Sequence, residues 1–213
     1  MSVHVLRGIG EDRRFLRRWL GAASELRDLL HSDGTGFDPL GYNETATVGF
    51  LVAAAGRANL LSLPEFTESN RKLPEGRVRA GRCDMWIASE DWQIDWLLEF
   101  KVAFYGPRAG IGLVRKLNAA IENVFDRDRA EAGRRFGCVV FCPGESWFDL
   151  DEEAQTKWKT PATIERLASH VDLAVRFDDL AGPAYLLMKE VARRARNVGR
   201  YKVMPAVLGF PGG

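Results

Sequence analysis

Cysteine and histidine are scarce in this chain, with three of each among 213 residues. The odd set of cysteines, Cys83, Cys138 and Cys142, provides neither a disulfide framework nor a paired zinc-ligand pattern. The histidines lie far apart in sequence, without an acidic or cysteine partner at metal-ligand spacing. Zinc hydrolases and histidine-based catalytic triads are therefore disfavoured, and we expect Cys138 and Cys142 to fill the core.

Long apolar runs and a strong net charge are also missing. Thirty basic and 29 acidic residues leave a net charge of +1, so any surface for nucleic acid must be local. No apolar run approaches the length of a membrane-spanning helix, about 18 residues. Acidic and arginine residues occupy the N-terminus, where a signal peptide needs an apolar core. We therefore expect a soluble cytoplasmic protein without a membrane partner.

A glycine-rich phosphate loop is absent too, since "GPRAGIGLVRK" lacks the Walker spacing. Apolar periodicity and turn residues predict the order helix, helix, strand, strand, strand, helix, strand, helix, strand, helix. The last helix is predicted within "YLLMKEVARRARNVG". With 46% hydrophobic residues, the chain is long enough for one domain with a full core and short for two.

The segment "GRCDMWIASEDWQIDWLLEFKVAFYG" places charged residues inside two predicted strands. A buried charge is costly unless it is paired or coordinates a metal. Side chains alternate between the two faces of a strand, so Glu99 and Lys101 point the same way. A hairpin that turns within "SEDWQ" sets Asp84 opposite a residue between positions 97 and 99. The pattern therefore predicts that Asp84, Glu99 and Lys101 meet at one place.

Two carboxylates on adjacent strands form a site of hard oxygen ligands that suits Mg²⁺ and also Mn²⁺. Such a metal polarises a phosphoryl oxygen and lowers the pKa of a bound water, while Lys101 can orient that water or stabilise developing charge. This combination is suited to phosphodiester hydrolysis. The alternative is a lysine that simply pairs with two acids on an exposed face of the sheet.

Asp84, followed on the next strand by Glu99-Phe100-Lys101, resembles the motif of the PD-(D/E)XK nuclease superfamily. The resemblance implies an α/β fold of the restriction-endonuclease-like type: a three-layer core with a central mixed sheet flanked by helices. That core contains a helix, three antiparallel strands, a helix and a further strand, here roughly residues 43–142. Glu44 then matches the acidic residue that many members carry on the first helix. The resemblance thus implies Asp84, Glu99, Lys101 and Glu44 as catalytic residues, with the three carboxylates as metal ligands.

We accordingly expect a single domain over residues 1–213. It would consist of an N-terminal helical extension (1–42), a nuclease-like core (43–177) and a C-terminal helix and tail (178–213). The family also suggests a possible homodimer, because nucleases with one site per subunit often use two subunits to cut both strands.

Basic residues flank the proposed site, and we predict that they contact backbone phosphates: Arg82, Arg108, Arg115 and Lys116. Trp86 shares the strand face of Asp84 and is a candidate for stacking on a base. Glu65 and Glu68 on the preceding strand are either additional ligands or exposed carboxylates.

Three functional hypotheses remain open at this stage. The first is a Mg²⁺-dependent nuclease that acts on DNA in restriction, defence or repair. The second is a catalytically inactive nuclease-fold module that binds nucleic acid or a protein partner. The third is that the spacing of the motif is accidental and the chain is another kind of α/β protein.

Overall fold

The computed structural model describes residues 2–8, 10–32, 38–72, 78–105, 109–125, 133–143, 151–159, 169–178 and 183–191. These residues form an α/β structure around one sheet. The strands are β1 (Val3–Arg7), β2 (Leu61–Lys72), β3 (Val78–Ala88), β4 (Asp95–Tyr105), β5 (Arg134–Pro143), β6 (Leu173–Phe177) and β7 (Ala184–Glu190). The helices are α1 (Gly10–Ser32), α2 (Pro39–Tyr42), α3 (Glu44–Arg57), α4 (Ala109–Phe125) and α5 (Glu152–Lys159).

The seven strands form a mixed sheet in the order β1-β6-β7-β5-β4-β3-β2. Strands β2, β3 and β4 form an antiparallel meander, and the predicted β3/β4 hairpin is confirmed. Strand β5 lies parallel to β4 because α4 carries the chain back across the sheet between them. The other described neighbours, β5 with β7, β7 with β6 and β6 with β1, are antiparallel.

Apolar cores lie on both faces of the sheet. On one face, Trp19 of α1 and Leu51 of α3 belong to the same buried cluster as Phe100 of β4. On the other face, Ile121 of α4 packs in a second cluster with Val139 of β5. Helices therefore cover both sides of the sheet, which confirms the predicted α/β class with a mixed sheet and is compatible with a three-layer core.

The predicted C-terminal helix is wrong where the structure describes it. Residues Ala184–Glu190 form strand β7, which pairs with both β5 and β6. Leu and Met at these positions favour a helix locally, but adjacent side chains are buried on opposite faces of the sheet: Leu186 and Met188 on one, Leu187 on the other. Burial between two strands outweighs the local preference. Residues 192–213, the remainder of that predicted segment, lie outside the described residues.

The other differences are smaller. The N-terminal extension begins with edge strand β1 rather than being purely helical, and α1 continues through Gly21 without a break. Helix α5 forms in an acidic stretch for which the sequence predicted no regular element. In the predicted order one helix lies between the strands that correspond to β5 and β6. Thr160 and Pro161 would mark its start, and residues 160–168 lie outside the described part of the chain.

Membrane-spanning helices were not predicted, and no helix in the described part of the chain is long and apolar enough to cross a membrane.

All three cysteines are free and buried. Cys138 and Cys142 are fully buried between strands and helices of one core, which confirms that they fill it. Burial raises the pKa of the Cys142 thiol to about 12. Burial also raises the pKa of Cys138, so both thiols favour the protonated form, which is a poor nucleophile.

Helix α4 approaches strand β5 very closely at Gly137. A methyl group placed on Gly137 would lie 2.6 Å from the backbone nitrogen of Ile121, closer than packed atoms tolerate. Gly137 also pairs with Glu99 across the parallel ladder. The absence of a side chain at position 137 therefore allows α4 to lie close to the part of the sheet that carries Glu99.

We expect Gly137→Ala to destabilise the fold by about 1–3 kcal/mol, because α4 must shift away from the sheet. Gly112→Ala is the control: Gly112 lies in α4 itself, and beyond its chain neighbours and the adjacent helix backbone no atom would lie within 4 Å of the added methyl group. That control should be neutral or stabilising by up to about 1 kcal/mol through helix propensity. Urea unfolding of both variants measures the difference, and equal stability of the two would contradict the packing argument.

Candidate active site

Strands β3 and β4 separate beside Asp84. Their ladder includes the pair Met85 and Leu98, and the same register carried one residue further sets Asp84 opposite Glu99, within the predicted range. At this point the backbone N–H of Phe100 donates to Oδ2 of Asp84 at 2.7 Å. A side-chain carboxylate thus takes the place of a backbone acceptor between the two strands, which satisfies an amide that would otherwise lack a partner.

The ammonium group of Lys101 contacts three acceptors in the site. It donates to Oε1 of Glu44 at 2.8 Å and to the carbonyl oxygen of Phe100 at 2.7 Å. Its distance to Oε1 of Glu99 is 3.5 Å. Only 16% of the Lys101 side chain is exposed, so these contacts replace most of its hydration. The structure therefore brings together Lys101 and both glutamates named from the sequence.

Glu99 is the most deeply buried acid of the site, with 4% relative exposure. Asn123 of α4 donates from Nδ2 to its Oε1 at 2.9 Å. Sequence reasoning missed this contact, because Asn123 is a single amide between the buried positions Ile121 and Val124 of an amphipathic helix. Only the packing of α4 against β4 shows that this amide faces a buried carboxylate.

Glu44 reaches the site from the opposite helical layer because it is the first residue of α3. The side chain of Asn43 caps this helix by accepting a hydrogen bond from the backbone of Ala46 at 2.8 Å. Helix α2 comes just before α3, and its cap residue Asp38 forms an ion pair with buried Arg27 of α1 at 2.5 Å. These contacts hold the α2–α3 corner and thereby place Glu44 beside Lys101.

Among the described residues the charges of the site do not balance, since three carboxylates lie around one ammonium group. Burial and the charge of Glu99 raise the pKa of Asp84 to about 6, although the Phe100 amide and Lys101 oppose the shift. For Lys101, burial alone would lower the pKa, but the hydrogen bond to Glu44 and the charges of Glu99 and Asp84 outweigh it and raise the pKa. The cluster therefore favours an additional positive charge or a proton.

Asp84 and Glu99 are the carboxylates that could hold a metal ion, and their oxygens are of the type that Mg²⁺ and Mn²⁺ prefer. Among the described residues, no group of three or more His, Cys, Asp and Glu side chains has the geometry of a metal site. Glu44 is instead engaged by Lys101. A pair of carboxylates still fits Mg²⁺, which commonly takes one or two of them and completes its shell with water and substrate phosphate.

The predicted flanking residues have different surroundings. Arg82 is exposed and forms an ion pair with Glu65 at 2.7 Å. The Glu65 carboxylate is thus engaged on the exposed surface and does not join the carboxylates of the site. On α4, Arg115 is exposed and Lys116 is half-buried. Arg108 and the side chain of Glu68 lie outside the described residues.

Comparisons with known proteins find no matching family model, no similar curated protein and no similar solved structure. Any function proposed for this chain therefore rests on the geometry of the site and on the order of its structural elements.

The raised pKa of Asp84 predicts a pH-dependent cost to folding. The folded-state pKa, about 6, lies above the ordinary value of 3.8. The folded state therefore holds the proton more tightly, and stability falls as pH rises between these two values. We expect Asp84→Asn to raise the free energy of unfolding by about 1–3 kcal/mol near pH 8 and by much less near pH 4.

Urea unfolding at both pH values tests this expectation. Glu122→Gln is the control, because it removes an exposed carboxylate of α4. A gain for Asp84→Asn that is equal at the two pH values would contradict the electrostatic explanation.

Proposed function

We propose that this chain is a metal-dependent nuclease that hydrolyses phosphodiester bonds of DNA. The observation that carries the proposal is the site at the separation of β3 and β4, where Lys101 contacts buried Glu99 and both lie near enough for their charges to act on Asp84. Excess negative charge does not help a cluster whose only role is to stabilise the fold, because unbalanced buried carboxylates lower the free energy of unfolding. The excess is useful if a divalent cation binds there.

The order of elements supports a restriction-endonuclease-like fold. Helix α3, the antiparallel meander β2-β3-β4, helix α4 and the parallel strand β5 follow one another as that fold requires. Asp84 lies on the second strand of this unit, and Glu99 and Lys101 lie on the third. The motif and the topology therefore agree, although each was read from a different property of the chain.

The residues have separate roles in the proposed reaction. Asp84 and Glu99 would hold Mg²⁺ or Mn²⁺, and the metal when bound supplies Lewis acidity and an activated water. Lys101 orients the attacking water or stabilises negative charge that develops on the phosphoryl group. Asn123 holds the carboxylate of Glu99 in place, and Glu44 does the same for the ammonium of Lys101.

One observation favours the alternative, an inactive module of this fold that binds nucleic acid or a protein. The Lys101 ammonium already contacts both Glu44 and Glu99, so the two glutamates are partly neutralised without a metal. The presence of Asp84 beside these ion pairs, with its pKa raised by burial and the charge of Glu99, favours the active enzyme.

Restriction, phage defence and repair are all settings that suit such an activity. A homodimer would allow two single-site subunits to cut both strands of a duplex.

The decisive assay is cleavage of supercoiled plasmid, linear duplex, single-stranded DNA and RNA in the presence of Mg²⁺, Mn²⁺ or EDTA. We expect metal-dependent cutting that falls by about 100-fold or more in Asp84→Ala and in Lys101→Ala. Arg57→Ala is the control, since this exposed cation lies at the far end of α3, about 20 Å along the helix from Glu44.

No cutting of any substrate, with folded variants and unchanged nucleic-acid binding, would reject the enzyme and favour the inactive module. Cutting that persists in both site variants would place the catalytic residues elsewhere.

A further inference from the structure

The turn between β3 and β4 exposes a tryptophan in a strained conformation. Trp92 has a φ of 59°, in the left-handed region that bulky side chains rarely adopt. Its side chain is nevertheless 61% exposed, so burial does not compensate for the strain. Residues held in this way often have a role in function, because a merely structural turn would place glycine or asparagine there.

Hydrogen bonds hold the turn rigidly in this shape. The backbone N–H of Trp92 donates to the carbonyl oxygen of Ser89 at 3.0 Å. The Ser89 hydroxyl donates to Asp91 at 2.5 Å and accepts from the backbone of Ile94 at 3.0 Å. The carboxylate of Asp91 also accepts from the backbone of Gln93 at 3.2 Å. The indole of Trp92 is therefore presented to solvent by a preorganised support.

A second tryptophan lies beneath it. The rings of Trp86 and Trp92 are 5.5 Å apart at an angle of 42°. Trp86 is itself fixed, since its indole N–H donates to Oδ1 of Asp95 at 2.5 Å. Asp95 is tied to the start of β5 through the backbone N–H of Gly133 at 3.1 Å. Trp86 is buried at 8% exposure, so it supports the exposed ring of Trp92 from below. The two residues are here called the tryptophan pair.

The tryptophan pair lies next to the candidate active site. Trp86 and Asp84 are two residues apart on β3, so they share one face about 7 Å apart along the strand. On the neighbouring strand, Leu61 and Leu63 pair with Ala88 and Trp86 and remain 39% and 47% exposed. Helix α4 packs over β4 and β5 on this face, and none of the described helices covers β2 and β3 here.

We propose that Trp92, supported by Trp86, stacks an unpaired base of the nucleic acid whose phosphate lies at Asp84, Glu99 and Lys101. This inference rests on the proposed nuclease function and specifies its substrate as one with single-stranded nucleotides beside the cleaved bond. A base in a continuous duplex is already stacked on its neighbours, whereas an unpaired base gains by stacking on an exposed aromatic ring. The apolar surround of Leu61 and Leu63 suits a base face better than a charged phosphate.

The test uses Trp92→Gly and Trp92→Phe. Glycine accepts a φ of 59° without strain, so Trp92→Gly removes the ring without straining the turn, and urea unfolding of this variant checks that it stays folded. Trp92→Phe keeps an aromatic face. The control is Leu29→Ala, which removes an exposed apolar side chain, 55% accessible, from α1 in the opposite helical layer.

Binding is measured by fluorescence anisotropy in EDTA, with a labelled single-stranded oligonucleotide and a blunt duplex of the same sequence. We expect Trp92→Gly to weaken binding of the single strand by about 10-fold or more. Trp92→Phe should retain most of the affinity, and Leu29→Ala and duplex binding should change little. Unchanged single-strand affinity in Trp92→Gly, or an equal loss for the duplex, would overturn the proposal.

Cleavage data separate this inference from the proposed function. Metal-dependent cutting that requires Asp84 but is indifferent to Trp92, for single strands as for duplexes, would reject stacking and leave the nuclease standing. Loss of single-strand binding in Trp92→Gly, in a protein that cuts nothing, would support stacking and reject the nuclease.

Discussion

The hydrogen bond from the Phe100 backbone to the Asp84 carboxylate connects the sheet to the candidate site. A backbone amide inside a sheet must have an acceptor, and here the acceptor is an acidic side chain rather than the neighbouring strand. The strands can separate at this point without leaving the amide unsatisfied. The separation in turn gives the carboxylates of Asp84 and Glu99 space beside each other, which an unbroken ladder of buried apolar residues would not provide.

The surrounding packing keeps these charges close at a cost to stability. Gly137 lets α4 lie against β5, and α4 brings Asn123 to Glu99. From the other layer, the capped start of α3 brings Glu44 to Lys101. Contributions from both helical layers therefore converge on one strand, β4. The raised pKa of Asp84 is the electrostatic consequence, because burial and the charge of Glu99 outweigh the Phe100 amide and the charge of Lys101.

The strand patterns in the sequence predicted much of the candidate site. Alternation alone indicated that Glu99 and Lys101 share a face, and a short polar turn fixed the register that brings Asp84 to them. Asn123 was not predictable in the same way, since an amide within a helix has no periodic signal. Strand β7 was mistaken for a helix because Leu, Met, Lys and Glu are good helix formers, and burial between β5 and β6 decides otherwise.

The sequence by itself determined the α/β class, the β3/β4 hairpin and the charged residues that the hairpin carries, because local periodicity and turn chemistry act over a few neighbouring residues. Tertiary structure decided which partners those charges have: Lys101 with Glu44, Glu99 with Asn123, and Asp84 with a backbone amide. It also decided that Trp92 of the β3/β4 turn packs on Trp86. These contacts join residues from different elements, and only the packing of helices against the sheet sets the distances between them.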